Sequence, residues 1–471
     1  MRSLISTLCR LERETRPTDP EVSAALARRY AELPTHVRTP AQLIGRRTAG
    51  CEGTHGVFPR CDFACRPCYH SKTANRVRVD GAHTVGEVDA QMAYLRARRG
   101  PGQFAQLIGG EVSLLPPEDH AAALTAMWRH DRVPMSFTHG DFDYEYLERL
   151  AVGPDGRPRF PLLSFAAHFD TTMRGRRGLN RPEHEGDLHE HRRRFCAMFE
   201  RLEHEHGVRS YLAHNMTVTP KNVGEIAAVI RDCHAMGFRM FSFQPAAYVG
   251  DQARWADDFR SIGADEVWAE IERGAGVRLP FRALQMGDER CNRTTWGVYV
   301  GNRYVPILDD LDPRDLAARD AFFRAAPRPF AFAPRPIVAA RLARAFGRHP
   351  RDAATGLAFG ARFARRLGTD ALRHGVRPVT FVMHRFMDAA DVREAWQLTR
   401  AGRTSDDPRI AETQERLAAC AYGMAHPDRD EIVPACVQHS VLDPNETRVL
   451  ADLLPIRSRR AAADGTRPRR V

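Results

Sequence analysis

The sequence predicts an α/β fold: a partial (β/α)6 TIM-like barrel over residues 51–250, with a helical lead-in before it (1–50) and an α+β accessory domain after it (251–456). Two observations carry this prediction. Short apolar runs alternate with amphipathic helical stretches between about residue 56 and residue 250, as repeated βα units around a parallel sheet do. Each strand-like run also ends in polar residues, at the carboxyl ends where parallel αβ folds build their sites.

Taken in order, residues 21–30 read as one helix, and Pro34 and Pro40 interrupt the chain after it. A first strand feeds a cysteine-rich loop through Gly56-Val57-Phe58-Pro59. Thr84-Val85-Gly86-Glu87 reads as a capping box, with Val88, Met92 and Leu95 on one face of the helix it opens. Residues 104–108 form a strand ending in Gly109-Gly110-Glu111. Residues 134–137 run into Thr138-His139-Gly140, and 162–170, 210–219 and 238–245 complete the series. Ile226, Val229, Ile230 and Cys233 form a helical stripe, and Cys196 lies one turn before Phe199; both thiols are expected in the core.

Beyond residue 250 the alternation fades. Residues 296–300 and 304–308 read as strands around Cys291. In 334–376, Val338, Leu342, Ala345 and Phe346 share one helical face and Arg341, Arg344 and Arg348 another; Phe359, Phe363 and Leu367 repeat the pattern beside Arg362, Arg365 and Arg366. Such a basic amphipathic pair either lies on an anionic membrane or packs its apolar face on the core, the commoner outcome. A strand over 378–383 leads to His384-Arg385-Phe386-Met387-Asp388. The Arg-, Ala- and Gly-rich tail, 457–471, is expected to be disordered.

Bulk composition narrows the class. At 471 residues the chain is long enough for two or three domains, and its 43% hydrophobic and 27% charged content is that of a soluble globular protein. No apolar run approaches the ~20 residues that span a bilayer, and the first residues lack the apolar length of a secretory signal. Ten cysteines without such a signal point to reduced thiols, metal binding and a cytoplasmic location. The net charge of +11, dominated by Arg, fits either a GC-rich genome or an anionic partner. The basic residues are not interleaved with stacking aromatics, so no specific nucleic-acid contact is expected.

The chemistry centres on Cys61-Asp62-Phe63-Ala64-Cys65-Arg66-Pro67-Cys68-Tyr69. The C-x3-C-x2-C spacing lets three thiolates converge on one iron–sulfur cluster and leaves one iron without a protein ligand, where four cysteines are the usual complement. A structural zinc site wants a fourth residue, and none with finger-like spacing comes after the third cysteine.

This spacing, with Gly-Gly-Glu after the next apolar strand, resembles the radical S-adenosylmethionine (SAM) enzymes. The resemblance covers roughly residues 50–250 and implies a 4Fe-4S cluster on Cys61, Cys65 and Cys68 with SAM chelated at the open iron. It also implies reductive cleavage of SAM to a 5′-deoxyadenosyl radical, and a small one-electron donor such as ferredoxin or flavodoxin. One departure is visible: the family's usual aromatic residue before the third cysteine is Pro67 here, and Tyr69 stands in as the adenine contact. The same resemblance places Gly109, Gly110 and Glu111 at the methionine ammonium. It places Asn215, and Ser164 or His168, at the ribose and carboxylate, with Arg174 neutralising the carboxylate. Strand-end polar residues that bond only their own loops are the alternative for these last positions.

Cys291, Cys420 and Cys436 lack the helical stripe that accounts for Cys233. With Cys51 they would complete the ligands of an auxiliary iron–sulfur cluster; four ordinary thiols is the equal alternative. Residues 384–388 and the stretch around Cys436 look like the C-terminal part of radical SAM proteins related to the tetraether lipid synthases. That partial likeness implies a lipid or other hydrophobic substrate. Modification of a peptide is the competing substrate class, and a zinc-stabilised, non-catalytic nucleic-acid-binding protein is the competing reading of another kind.

Overall fold

A computed structural model describes residues 2–16, 19–70, 73–325 and 335–456. Its strands are β1 (Cys51–Gly53), β2 (Gln103–Leu107), β3 (Arg132–Thr138), β4 (Leu163–His168), β5 (Ser210–Val218), β6 (Met240–Pro245), β7 (Asn292–Val300), β8 (Arg303–Pro306), β9 (Arg377–His384), β10 (Tyr422–His426) and β11 (Glu431–Pro434). They form one sheet in the order β11-β10-β1-β2-β3-β4-β5-β6-β9-β7-β8. From β10 across to β9 every neighbouring pair is parallel, while β11, β7 and β8 join antiparallel at the two ends. The class is the α/β, partial-barrel one that the alternation predicted. Strands from residues 251–456 extend both ends of the sheet: β9, β7 and β8 beyond β6, and β10 and β11 beyond β1.

The period-2 geometry of a strand sorts the side chains. On β5, β6 and β9, Leu212, His214, Met216, Phe241, Phe243, Phe381 and Met383 are fully buried or nearly so. All but His214 belong to the principal apolar cluster, with Val229 and Ile230 of the helix Ile226–Cys233. The alternate residues Tyr211, Asn215, Thr217, Met240, Ser242, Gln244, Thr380, Val382 and His384 line a cavity on the other face. One face thus holds the sheet together and the other is left for a ligand. Cys196 and Cys233 are buried in the same apolar cluster, as their helical spacing predicted.

Two buried ion pairs tie strands to their surroundings. Glu52 on β1 and Arg132 at the head of β3 are both fully buried, with Nε to Oε2 at 2.9 Å and Nη2 to Oε1 at 3.2 Å, bridging over β2. Arg132 also donates to the Gly100 carbonyl at 2.7 Å. Arg192 and Glu185, equally buried, pair at 2.6 Å, and Arg192 Nε reaches the His214 ring at 2.9 Å. Buried charges require such partners, because desolvation of either alone is expensive.

One local expectation is corrected, and two others are specified. The helix expected to start at a Thr84 capping box begins earlier, at Gly81, with Asp80 accepting from the His83 amide at 3.0 Å. Thr84 is inside it, and its hydroxyl donates to the Val57 and Asp80 carbonyls, both at 2.8 Å. The strand before the cysteine loop is Cys51–Gly53, and the chain bends at Gly56 and Val57, in the apolar turn ahead of the loop. In the helices Arg335–Arg348 and Pro350–Leu367 the packed alternative holds for much of the apolar face. Phe363 and Leu367 sit on Val298, Val300 and Val305, and Arg362 and Arg366 pair with the buried Asp315 at 3.1 and 2.9 Å. The tail 457–471 lies outside the described residues, and among those residues no helix is long and apolar enough to cross a membrane.

Candidate active site

The carboxyl ends of the parallel strands open into a cavity of about 400 Å³, within the size range of small-molecule sites. Cys61, Cys65 and Cys68 all line it, together with Tyr69, Gly109, Gly110, Glu111, His168 and Asn215. Ser164 is buried with its hydroxyl unpartnered and is not part of the lining. The guanidinium of Arg174 is taken up by the carbonyls of Thr171 and Met173, at 2.7 and 2.6 Å, and it too stays outside the lining.

The cysteine loop is held from several sides. The Ala64 and Arg66 amides donate to the Arg174 and Thr172 carbonyls at 2.9 and 2.8 Å, stitching the loop to the segment after β4. Phe63 is buried and stacks on the His139 ring with centroids 3.8 Å apart, and the Arg176 guanidinium lies 5.5 Å from the Phe63 ring centre. Gly250, at φ +79°, passes so close that a Cβ there would lie 2.2 Å from the Cys68 carbonyl oxygen; only glycine allows that approach.

Close backbone approach also accounts for the glycine pair. A Cβ on Gly110 would fall 2.0 Å from the Arg60 carbonyl oxygen, and one on Gly109 would meet the Phe58 ring at 2.6 Å. The Gly110 and Glu111 amides donate to the Phe58 and Arg60 carbonyls at 2.7 and 2.9 Å. The glycines therefore admit the chain that leads into the cysteine loop, a packing demand the sequence pattern did not distinguish from ligand approach. Glu111 is buried, with Oε1 accepting from the Ser113 amide (3.0 Å), the Ser113 hydroxyl (2.6 Å) and the Thr138 hydroxyl (2.6 Å), and Oε2 from the His139 amide (2.8 Å). It locks the turn after β2 to the end of β3, and Oε2, with one donor, keeps acceptor capacity.

Burial pushes the thiols of Cys61, Cys65 and Cys68 up; at Cys68 the His70 amide and the Arg254 guanidinium oppose it. Such thiols hold their protons until a metal displaces them. Do the three suit the group the sequence points to? Among the described residues, Cys61, Asp62 and His139 close within 4.8 Å of one another, while Cys61, Cys65 and Cys68 do not close as a set. A single tetrahedral zinc, with Zn–S near 2.3 Å, would need sulfurs ~3.8 Å apart. Three thiols on one cavity wall, spread wider than that, suit a cluster of several irons. The Cys61, Asp62 and His139 group is already spent internally: His139 Nε2 faces Asp62 at 2.9 Å and its Nδ1 accepts from the Asp141 amide at 3.0 Å.

Several site residues were given no role by the sequence. Arg254 comes from a short turn beyond β6 and faces Cys68. His439 is buried with Nδ1 2.7 Å from Asp443, its Nε2 is unpartnered, and its ring lies 4.5 Å from that of Tyr69 on the cavity wall. His384, at the end of β9, is held low, at about 4, by burial and by the neighbouring His439 and Arg416. Single residues of this kind are found only when distant segments are brought together.

The fold and this wall define an α/β protein with a half-open parallel sheet and a thiol-lined cavity at its strand ends. No protein-family model and no curated protein matches the chain. Among solved structures it overlaps SuiB of Streptococcus suis bound to precursor peptide SuiA, at 11% identity and a TM-score of 0.30, over 47% of this chain and 42% of that one. It also overlaps anSMEcpe with bound AdoMet and Cp18Cys peptide, at 11% identity and a TM-score of 0.30, over 47% and 57%. For anSMEcpe with bound AdoMet the values are 15% and 0.27, over 41% and 50%. The chain thus spans 42–57% of the length of these structures, and overlaps this slight carry no functional argument.

Proposed function

We propose that the protein is a radical SAM enzyme, acting on a substrate whose reacting part occupies the apolar portion of the cavity. The observation that supports this most directly is the joint placement of Cys61, Cys65 and Cys68 with the Gly109–Glu111 turn on one cavity wall. Cys61, Cys65 and Cys68 would hold a 4Fe-4S cluster, which would supply the electron that splits SAM into methionine and a 5′-deoxyadenosyl radical able to take a hydrogen atom from the substrate. The chain's own residues do the rest. Glu111 and the turn it braces receive the ammonium, Tyr69 and Asn215 the nucleoside, and Arg254 places a positive charge beside Cys68. Phe137, Met240, Val249, Trp296, Val382 and Phe386 keep water from the remainder.

That apolar lining supports a lipid or other hydrophobic substrate over a peptide. A small one-electron donor such as ferredoxin or flavodoxin supplies the reducing equivalent. The rival reading, a zinc-stabilised binding protein, draws on the proximity of Cys61, Asp62 and His139, but requires one His139 nitrogen to give up its present partner.

The test is anaerobic reconstitution with iron and sulfide, then addition of dithionite and SAM. The wild-type chain is expected to form 5′-deoxyadenosine and Cys65→Ala to form none. Equal product from the variant, or a colourless wild type holding one zinc, overturns the reading.

A further inference from the structure

We propose that Cys51, Cys291, Cys420 and Cys436 hold a second metal centre, an iron–sulfur cluster with cysteine on every iron, in the wall of the same cavity. The inference does not depend on how the three-cysteine loop is read.

The four residues are far apart in sequence and are assembled by the ends of the sheet. Parallel pairing sets Cys51 on β1 opposite Tyr422 on β10, with the Cys51 amide donating to the Ala421 carbonyl at 2.7 Å. Cys420 lies just before β10, its Sγ 3.2 Å from the Tyr422 carbonyl. The β10–β11 hairpin, pairing Gly423 with Pro434, turns the chain back so that Cys436 comes two residues later. Cys51, Cys420 and Cys436 share one apolar cluster. Cys291 arrives through the loop before β7, where Gly287, at φ +74°, comes so near that a Cβ would lie 2.6 Å from the Ala419 carbonyl oxygen.

Arg416 is the second, independent sign. Its Nε donates to Cys291 Sγ at 3.2 Å, the residue is 7% exposed, and its Nη2 has no hydrogen-bond partner. Among the described residues, the carboxylate it pairs with is Glu412, which is half exposed and 3.5 Å from Nη1. A guanidinium buried this way needs an anion beside its inner nitrogens, and neutral thiols do not provide one. Thiolates on iron do, and they leave the set with the negative charge that Arg416 answers.

The class of metal is set by spacing and redox state. All four cysteines are free rather than paired in disulfides. No three of them close within 4.8 Å, wider than the ~3.8 Å between sulfurs around one zinc. A cluster with all irons held by thiolate has no open position, so this centre passes electrons and does not bind SAM. Cys51 and Tyr422 put it at the cavity surface.

The test uses the full chain with Cys61, Cys65 and Cys68 all replaced by Ala, reconstituted anaerobically with iron and sulfide. It is expected to retain about four irons and four sulfides per chain, with cluster absorption. Adding Cys291→Ala and Cys436→Ala should reduce both by at least tenfold, and Arg416→Met should lower cluster retention while far-UV circular dichroism stays unchanged. Less than one iron in the triple variant, given an unchanged dichroism spectrum, overturns the proposal, as does one zinc without sulfide. Failure of the SAM reading looks different: no deoxyadenosine from the wild type, with this iron still present.

Discussion

The hydroxyl of Tyr69 donates to the carbonyl of Gly109 at 3.1 Å, joining the residue after the third loop cysteine to the first glycine of the turn beyond β2. His70 adds its Nε2 to the same carbonyl. The loop and the turn are thus one unit, although nearly forty residues separate them. Replacing Tyr69 with Phe keeps the ring and removes this tie, worth about 1 kcal/mol. SAM binding to the reconstituted protein is expected to weaken roughly three- to tenfold with iron content unchanged, by equilibrium dialysis. Unchanged affinity would detach Tyr69 from the nucleotide.

Gly110→Ala is expected to be far worse. The added Cβ meets backbone oxygens, 2.0 Å from that of Arg60 and 2.5 Å from that of Pro59, and neither can swing away as a side chain would. The segment entering the cysteine loop must shift. Iron incorporation at the three-cysteine loop should fall at least fivefold, measured in a Cys291→Ala, Cys436→Ala background. Normal incorporation would mean that the turn and the loop are not coupled as their hydrogen bonds indicate.

Removing one side of the Glu52–Arg132 pair strands a buried charge. Arg132→Met should cost about 3–5 kcal/mol in urea unfolding. Burial pushes the Glu52 carboxyl up while Arg132 and Arg99 hold it down, and the variant leaves only Arg99, 3.8 Å away, to oppose the burial. Glu52→Gln combined with Arg132→Met should recover part of the loss. A double variant as unstable as the sum of the single ones would deny the pairing.

His55 provides a pH signature. Burial lowers its pKa, but the 3.0 Å contact with Glu446 and the Ala425 carbonyl at 2.7 Å outweigh it, and the net shift is upward from 6.5. Glu446 is shifted the other way, below 4.5; burial raises it and the His55 contact overrides that. A raised histidine stabilises the fold fully below 6.5 and loses that contribution as pH rises through its folded value; the acid's contribution is lost as pH falls below 4.5. The melting-temperature gap between wild type and His55→Gln should therefore be widest near pH 5–6 and shrink toward pH 9. A gap that grows with pH would reverse the assignment.

Much of this molecule is written in short-range pattern. The three loop cysteines, the βα alternation and the helical spacing that buries Cys196 and Cys233 depend on neighbours within a turn or a strand, where side-chain period alone sets direction. Long-range pairing decided features of a different kind. That β9 and β10 extend the two ends of one sheet, that Gly109 and Gly110 yield to the Phe58–Arg60 backbone, and that Cys291 comes against Arg416 depend on which strands pair and which surfaces pack. Those choices are settled by burial and hydrogen bonding between segments far apart in the chain, and no local spacing encodes them.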